Sequence, residues 1–294
     1  MKSEFSCFHP VSIYIYFLII FVVTVISRNP VFIVISFVCA CFFMAMLKGT
    51  GEMLVMVLKM TLFIVAASLI NPLLSHYGAT PLFFINDAAY TKEAMVYGFF
   101  LALMLAAILM WSGCFNYVND SEKTLYVASK FSGTISIILS MSLRFIPMLK
   151  EKAGEIKNAR KAAGLYCTDS IIEHIKSDLT IISVLLTWAA ENSVDTAASM
   201  KARGFGAAKR KNYCIYKIRS RDVLLLISQA VYTFMIIAAF RNDLFVFRYY
   251  PHIERIIPDL FSIAFYTITL LFGFIPLFIE IKGRMIWKSL KSQA

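Results

Sequence analysis

Six stretches of the chain are nearly unbroken runs of apolar residues: 11–27, 31–47, 53–70, 94–111, 223–240 and 260–281. Each has the length at which an α-helix crosses a hydrocarbon layer of roughly 30 Å. Turns separate the early runs, with Arg28-Asn29-Pro30 after the first and Asn71-Pro72 after the third. Residues 76–93 form a loop with Gly78, Pro81 and a short apolar piece, Leu82-Phe83-Phe84-Ile85. Between the fourth and fifth runs the pattern changes to two long helical segments rich in charge. The first, 134–164, has only Pro147 and Gly154 as internal breakers. The second opens on the capping-box spacing Ser170-x-x-Glu173 and extends to Arg203, with Gly204 as its terminating residue. The linker 165–169 is short, so the second helix must turn back along the first. Gly164 and Gly204 then lie near opposite ends of the second helix, tens of ångströms apart at about 1.5 Å per residue.

Composition agrees with this reading. Of 294 residues 59% are hydrophobic, and the mean hydropathy is +0.72. An ordinary soluble domain is excluded, and a polytopic helical membrane protein is predicted. The net charge of +11 would suggest nucleic acid in a soluble chain, but here its distribution explains it. Residues 112–221 hold 17 Lys and Arg against 9 Asp and Glu, and 201–221 hold eight basic residues and no acid. The tail adds Lys282, Arg284, Lys288 and Lys291, whereas loop 241–259 is neutral. The positive-inside bias places the middle region and the C-terminus in the cytoplasm. Four spans before and two after bring the N-terminus to the same side. The bilayer is the expected partner, and nucleic acid is not. The first run lacks a small-residue cleavage site and reads as a retained span. Six cysteines without paired spacing read as reduced thiols.

The expected fold is an all-α membrane protein with about six transmembrane helices. A cytoplasmic pair of long helices is inserted between spans four and five. The chain divides into 1–118 with spans one to four, 119–221 as the cytoplasmic module, and 222–294 with the last spans and basic tail. One competing arrangement lets 131–149 span despite Arg144 and return through 179–190. That return is too short for a bilayer.

Candidate chemistry is sparse. No GxxxxGK[ST] loop is present to cradle nucleotide phosphates, and no HExxH or similar zinc spacing occurs among the histidines. Glu191 and Asp195 share a helix face four residues apart. With Arg144 and Glu151 they are the groups a membrane enzyme acting on a lipid-linked substrate would use, and this is the alternative function. The ends of the two long helices are more informative. Ala202-Arg203-Gly204 combines a small residue that allows close approach, a guanidinium that grips carboxylates or carbonyls through two parallel bonds, and a glycine stop. On spacing alone the commoner role of Arg203 is to offset the helix dipole.

The order of motifs adds to this. Ser142-Leu143-Arg144-Phe145-Ile146-Pro147-Met148-Leu149 is followed by a charged helix ending Ala162-Ala163-Gly164. Then come Ser199-Met200-Lys201-Ala202-Arg203-Gly204-Phe205-Gly206, Lys209-Arg210-Lys211-Asn212-Tyr213 and Arg221-Asp222. This series resembles the transmembrane T-component of energy-coupling factor (ECF) transporters, the family that includes the cobalt-transport permeases. The resemblance is close over about 140–222 and loose elsewhere. It implies a non-catalytic coupling subunit of an ABC-type importer, in the plasma membrane of a prokaryote. Two Ala-Arg-Gly-like motifs would end two coupling helices, each docking on one of two ABC ATPase subunits, which would bind ATP and Mg. This chain would bind no cofactor. A separate membrane S subunit would bind the vitamin or metal ion and so determine the solute. The second motif carries over onto Ala202, Arg203 and Gly204. The first departs, since the family's arginine falls on Ala163 between Ala162 and Gly164; Arg160 or Lys161 stands one turn earlier. Arg144, Pro147, Lys209 and Arg210 are supporting positions.

Overall fold

The structure is a computed structural model and describes residues 3–74, 78–85, 88–131, 133–165, 171–207, 216–242, 244–252, 254 and 260–293. The chain divides into two compact units, Met1–Asp120 with Tyr216–Ala294, and Ser121–Ile215. The first unit contains α1 (Pro10–Ile26), α2 (Pro30–Lys48), α3 (Thr50–Leu74), α4 (Lys92–Val118), α8 (Ser220–Arg241) and α9 (Leu260–Gln293). The second contains α5 (Ser121–Phe131), α6 (Gly133–Ala162) and α7 (Ile171–Ala202). Among the described residues, five helices are long and apolar enough to cross a membrane: α2, α3, α4, α8 and α9, with mean hydropathies between 2.0 and 2.6. The 17-residue α1 is apolar but shorter. All six apolar runs are therefore helices, and neither α6 nor α7 is apolar enough to count as a span.

The helix starts follow from local chemistry. Pro10 and Pro30 occupy first-turn positions, where a missing N–H costs no intrahelical bond. Asn29 caps α2 by accepting from the Val31 amide at 3.1 Å. The apolar piece of the loop folds as β1 (Pro81–Ile85), antiparallel to β2 (Ala88–Thr91), with Phe84 opposite Ala89. Aromatic and β-branched residues suit a short pleated ribbon better than coil. Thr80 Oγ1 donates to Glu93 Oε1 at 2.7 Å, which fastens the hairpin to the start of α4.

Packing in the first unit uses small residues where helices approach closely. Along α4, Ala94, Gly98, Ala102 and Ala106 recur every four residues, and all are buried. A Cβ on Gly98 would lie 2.6 Å from Asn71 Cβ of α3. Small residues allow such approach where lipid supplies no hydrophobic drive between helices. Phe5, Tyr16, Phe17, Phe43 and Trp111 form the aromatic centre. Its polar atoms are paired: Trp111 Nε1 donates to Ser36 Oγ at 3.1 Å, and Ser36 Oγ lies 2.9 Å from Thr24 Oγ1. By contrast α3 leaves Leu54, Leu58 and Leu62 about 70% exposed, in a stripe one helical turn apart.

A single 3-10 turn, Glu4–Cys7, precedes α1 and is held by two carboxylates from the last two helices. The Glu4 amide donates to Glu280 Oε2 at 2.9 Å, and the His9 amide to Asp222 Oδ1 at 2.8 Å. Both carboxylates are buried, and Asp222 Oδ2 also accepts from the Arg219 amide at 2.8 Å, capping α8.

Candidate functional site

The two long helices of the second unit end in the same backbone device. At the end of α6, Gly164 N–H donates to Lys161 C=O and Leu165 N–H donates to Arg160 C=O, both at 3.0 Å. At the end of α7, Gly204 N–H donates to Lys201 C=O and Phe205 N–H to Met200 C=O, again both at 3.0 Å. Each pair is a Schellman motif, with the glycine one residue past the cap in the left-handed conformation. Gly164 has φ +73° and Gly204 has φ +78°, values that cost a β-carbon-bearing residue energy. Arg160 through Leu165 thus superposes in role, residue by residue, on Met200 through Phe205.

Within the three-residue motif the side chains differ at one position. Ala162 and Ala202 match, Gly164 and Gly204 match, but Ala163 stands where Arg203 stands. Ala163 and Arg203 are both exposed. After each glycine comes a large apolar residue turned outward, Leu165 at 64% exposure and Phe205 at 55%. In many Schellman motifs the residue after the glycine packs back on the helix. Here both remain largely uncovered. Phe205 stands in the motif run that carries the resemblance and Leu165 opens the linker, but sequence reasoning assigns neither a role; a large apolar residue directly after a helix-stopping glycine is the signal that could have done so.

Arg160 bridges the two helices, its Nη2 donating to Ser177 Oγ of α7 at 3.3 Å. This bond commits part of Arg160 within the helical pair and holds the end of α6 beside the first turns of α7. From Ser177 to Ala202 the helix continues for about 38 Å at 1.5 Å per residue, so the two stops stand far apart. Lys152 joins the same seam, 2.6 Å from Glu155 and with its ammonium 5.8 Å from the centre of the Trp188 ring. Arg144 and Pro147 are exposed on α6, which runs on through the proline. Glu151, Glu191 and Asp195 are exposed as well. No cluster of three or more potential metal-ligating residues occurs among the described residues. Lys209, Arg210 and the capping residue Ser170 lie outside the described residues.

Along α7, Ile175, Leu179, Ile182 and Leu186 follow a 4-3-4 spacing and are each more than half exposed. Such a stripe is one apolar seam on a helix, of the kind that packs against another helix.

Comparison with known proteins places this geometry. The family described as cobalt transport protein matches residues 8–214. The energy-coupling factor transporter transmembrane protein EcfT of Lactococcus lactis is 31% identical over 165 residues, which is 53% of this chain and 62% of that protein. The protein of the same name from Listeria innocua is 34% identical over 99 residues, covering 33% of this chain and 37% of its own length. That of Leuconostoc gelidum is 24% identical over 198 residues, covering 62% and 74%. The chain thus spans less than two thirds of the Lactococcus and Listeria relatives.

Proposed function

The chain belongs to the cobalt transport protein family, and on that premise we propose that it is the coupling subunit of an energy-coupling factor importer. It is a membrane protein of a transporter family, with five long apolar helices and a sixth shorter one among the described residues. In this reading the second unit receives motion from two ABC ATPase subunits, which bind ATP and Mg and carry out hydrolysis. One ATPase docks at Ala202-Arg203-Gly204 and the other at Ala162-Ala163-Gly164. The observation that carries the proposal is the pair of Schellman stops, each with an outward apolar residue, at opposite ends of a 32-residue helix. A single active site needs convergent groups; two like ends held this far apart suit two like receptors.

The exposed stripe Ile175-Leu179-Ile182-Leu186 supports a second contact, with a separate membrane S subunit that binds the vitamin or metal ion. An apolar seam inside an otherwise polar helical unit is costly to leave in water and is covered by a partner helix or by lipid. The cytoplasmic side holds the helical pair and both termini, as the basic residues direct. Reconstitution tests the whole reading. The chain co-expressed with two ATPases and an S subunit should give ATP-dependent solute uptake in proteoliposomes, and the chain alone should hydrolyse no ATP above background. Robust hydrolysis by the purified chain, or full uptake without it, would refute the proposal.

A further inference from the structure

A cavity of about 530 Å³ opens between α8 and α9 beside the 3-10 turn, at the helix ends where basic residues gather. Its walls are apolar, with Leu224, Ile275, Phe278 and Ile279 lining the groove, and Leu224 and Phe278 exposed along its open side. At its mouth stand Arg221 and Lys282. The neighbouring charges are already engaged: Arg284 lies 3.6 Å from Glu280, and Asp222 accepts two backbone amides. Neither Arg221 nor Lys282 forms an ion pair among the described residues, although Arg221 is steadied by the Phe8 ring, 5.7 Å from its centre. Glu4 lies on the rim as the one acid lining the cavity, leaving a net positive mouth.

We propose that this groove binds an anionic phospholipid of the surrounding bilayer, of the phosphatidylglycerol type. Both walls are helices long and apolar enough to cross a membrane, which sets the apolar groove against acyl chains. Its two cations stand where a headgroup phosphate lies, and juxtamembrane basic residues attract anionic lipid. A singly charged headgroup neutralises two cations and one carboxylate, and its glycerol hydroxyls are donors for Glu4. A free phosphate would satisfy the mouth but leave the apolar groove unfilled, so charge and shape together select the lipid. The site is independent of the coupling role, since it rests on α8, α9 and the residues before α1 and on none of the helical pair.

Native mass spectrometry of the full chain, extracted from vesicles of equal phosphatidylglycerol and phosphatidylcholine, tests this. Wild type should retain one phosphatidylglycerol in preference to phosphatidylcholine. Each basic residue contributes about fivefold near an anionic surface, so R221Q/K282Q should lower that preference by about thirtyfold, and K282Q alone by about fivefold. S228W narrows the groove while keeping both charges, and should lose retained lipid of either kind. K152Q removes one charge from α6 and should leave retention unchanged. Equal retention of the two lipids by wild type overturns the proposal. So does undiminished preference in K282Q or R221Q/K282Q, or undiminished retention in S228W.

Discussion

The backbone amide of His9 donates to the buried carboxylate of Asp222 at 2.8 Å, across 213 residues of sequence. The same carboxylate caps α8 through the Arg219 amide, so one side chain fixes both the entry to α1 and the start of α8. Hydrogen bonds to a charged group contribute about 1.5–3 kcal/mol each. D222A should therefore lower the thermal unfolding midpoint of the detergent-solubilised chain more than any exposed-charge variant. D222N, which keeps one acceptor oxygen, should fall between. Equal midpoints for D222A and wild type would show that the contact carries no stability.

Arg203 tests the docking proposal directly. Truncating one partner of a buried, hydrogen-bonded charge pair costs about 2–5 kcal/mol. R203E should abolish capture of the ATPase that α7 engages, together with solute uptake. R203K keeps the charge without the planar fork and should be intermediate. Assembly and uptake at wild-type levels in R203E would reduce the arginine to a helix-end charge.

The outward apolar residues give a separate handle. L165D and F205D should each weaken capture of one ATPase while leaving the unfolding free energy of the isolated chain within about 0.5 kcal/mol of wild type, as surface changes do. Ala163 should accept arginine with unchanged or stronger capture, whereas A163W should clash. Loss of folding in F205D would mean that the ring packs within the chain.

The glycine stops should resist substitution for a backbone reason. Among the described residues no atom comes within 4 Å of a Cβ built at Gly164 or Gly204, so the backbone is the obstacle. The left-handed conformation costs an L-residue about 1–2 kcal/mol. G204A should fray the end of α7, seen as faster amide hydrogen exchange at Phe205, whose N–H closes the motif. Unchanged exchange would contradict this account.

Placement of the helical pair follows from charge. In a background without native cysteines, cysteine at Lys157 or Lys209 should react with impermeant reagent only from the cytoplasmic side, and at Ala89 only from outside. Outside labelling at position 157 would mean that 131–149 spans.

Much of this fold was visible in the sequence because hydropathy runs and glycine stops are local. The run at 223–240 lies inside α8, Ser220–Arg241, and 260–281 starts where α9 starts. α9 nevertheless continues to Gln293, because hydropathy marks the hydrocarbon stretch while the helix itself carries on past Lys282. The apolar Leu82–Ile85 gave no sign of its partner, since a strand is completed by Ala88–Thr91 opposite it. Arg160 reads as a stand-in for the arginine that Ala163 lacks, and its bond to Ser177 depends on how two helices pair. The sequence assigns Leu165 and Phe205 no role of their own, because exposure is set by tertiary structure. Glu280, at the end of an apolar run, gave no hint that it holds the Glu4 amide.

That last contact also orders events in time. Glu4 and Glu280 are 276 residues apart, and synthesis at about 5–20 residues per second puts roughly 15–55 seconds between them. Until Asp222 is made the turn before α1 has neither of its carboxylates, and until Glu280 is made it has only the first. α1 is thus made well before the helices that lock it, and it waits until α8 and α9 arrive to close around it.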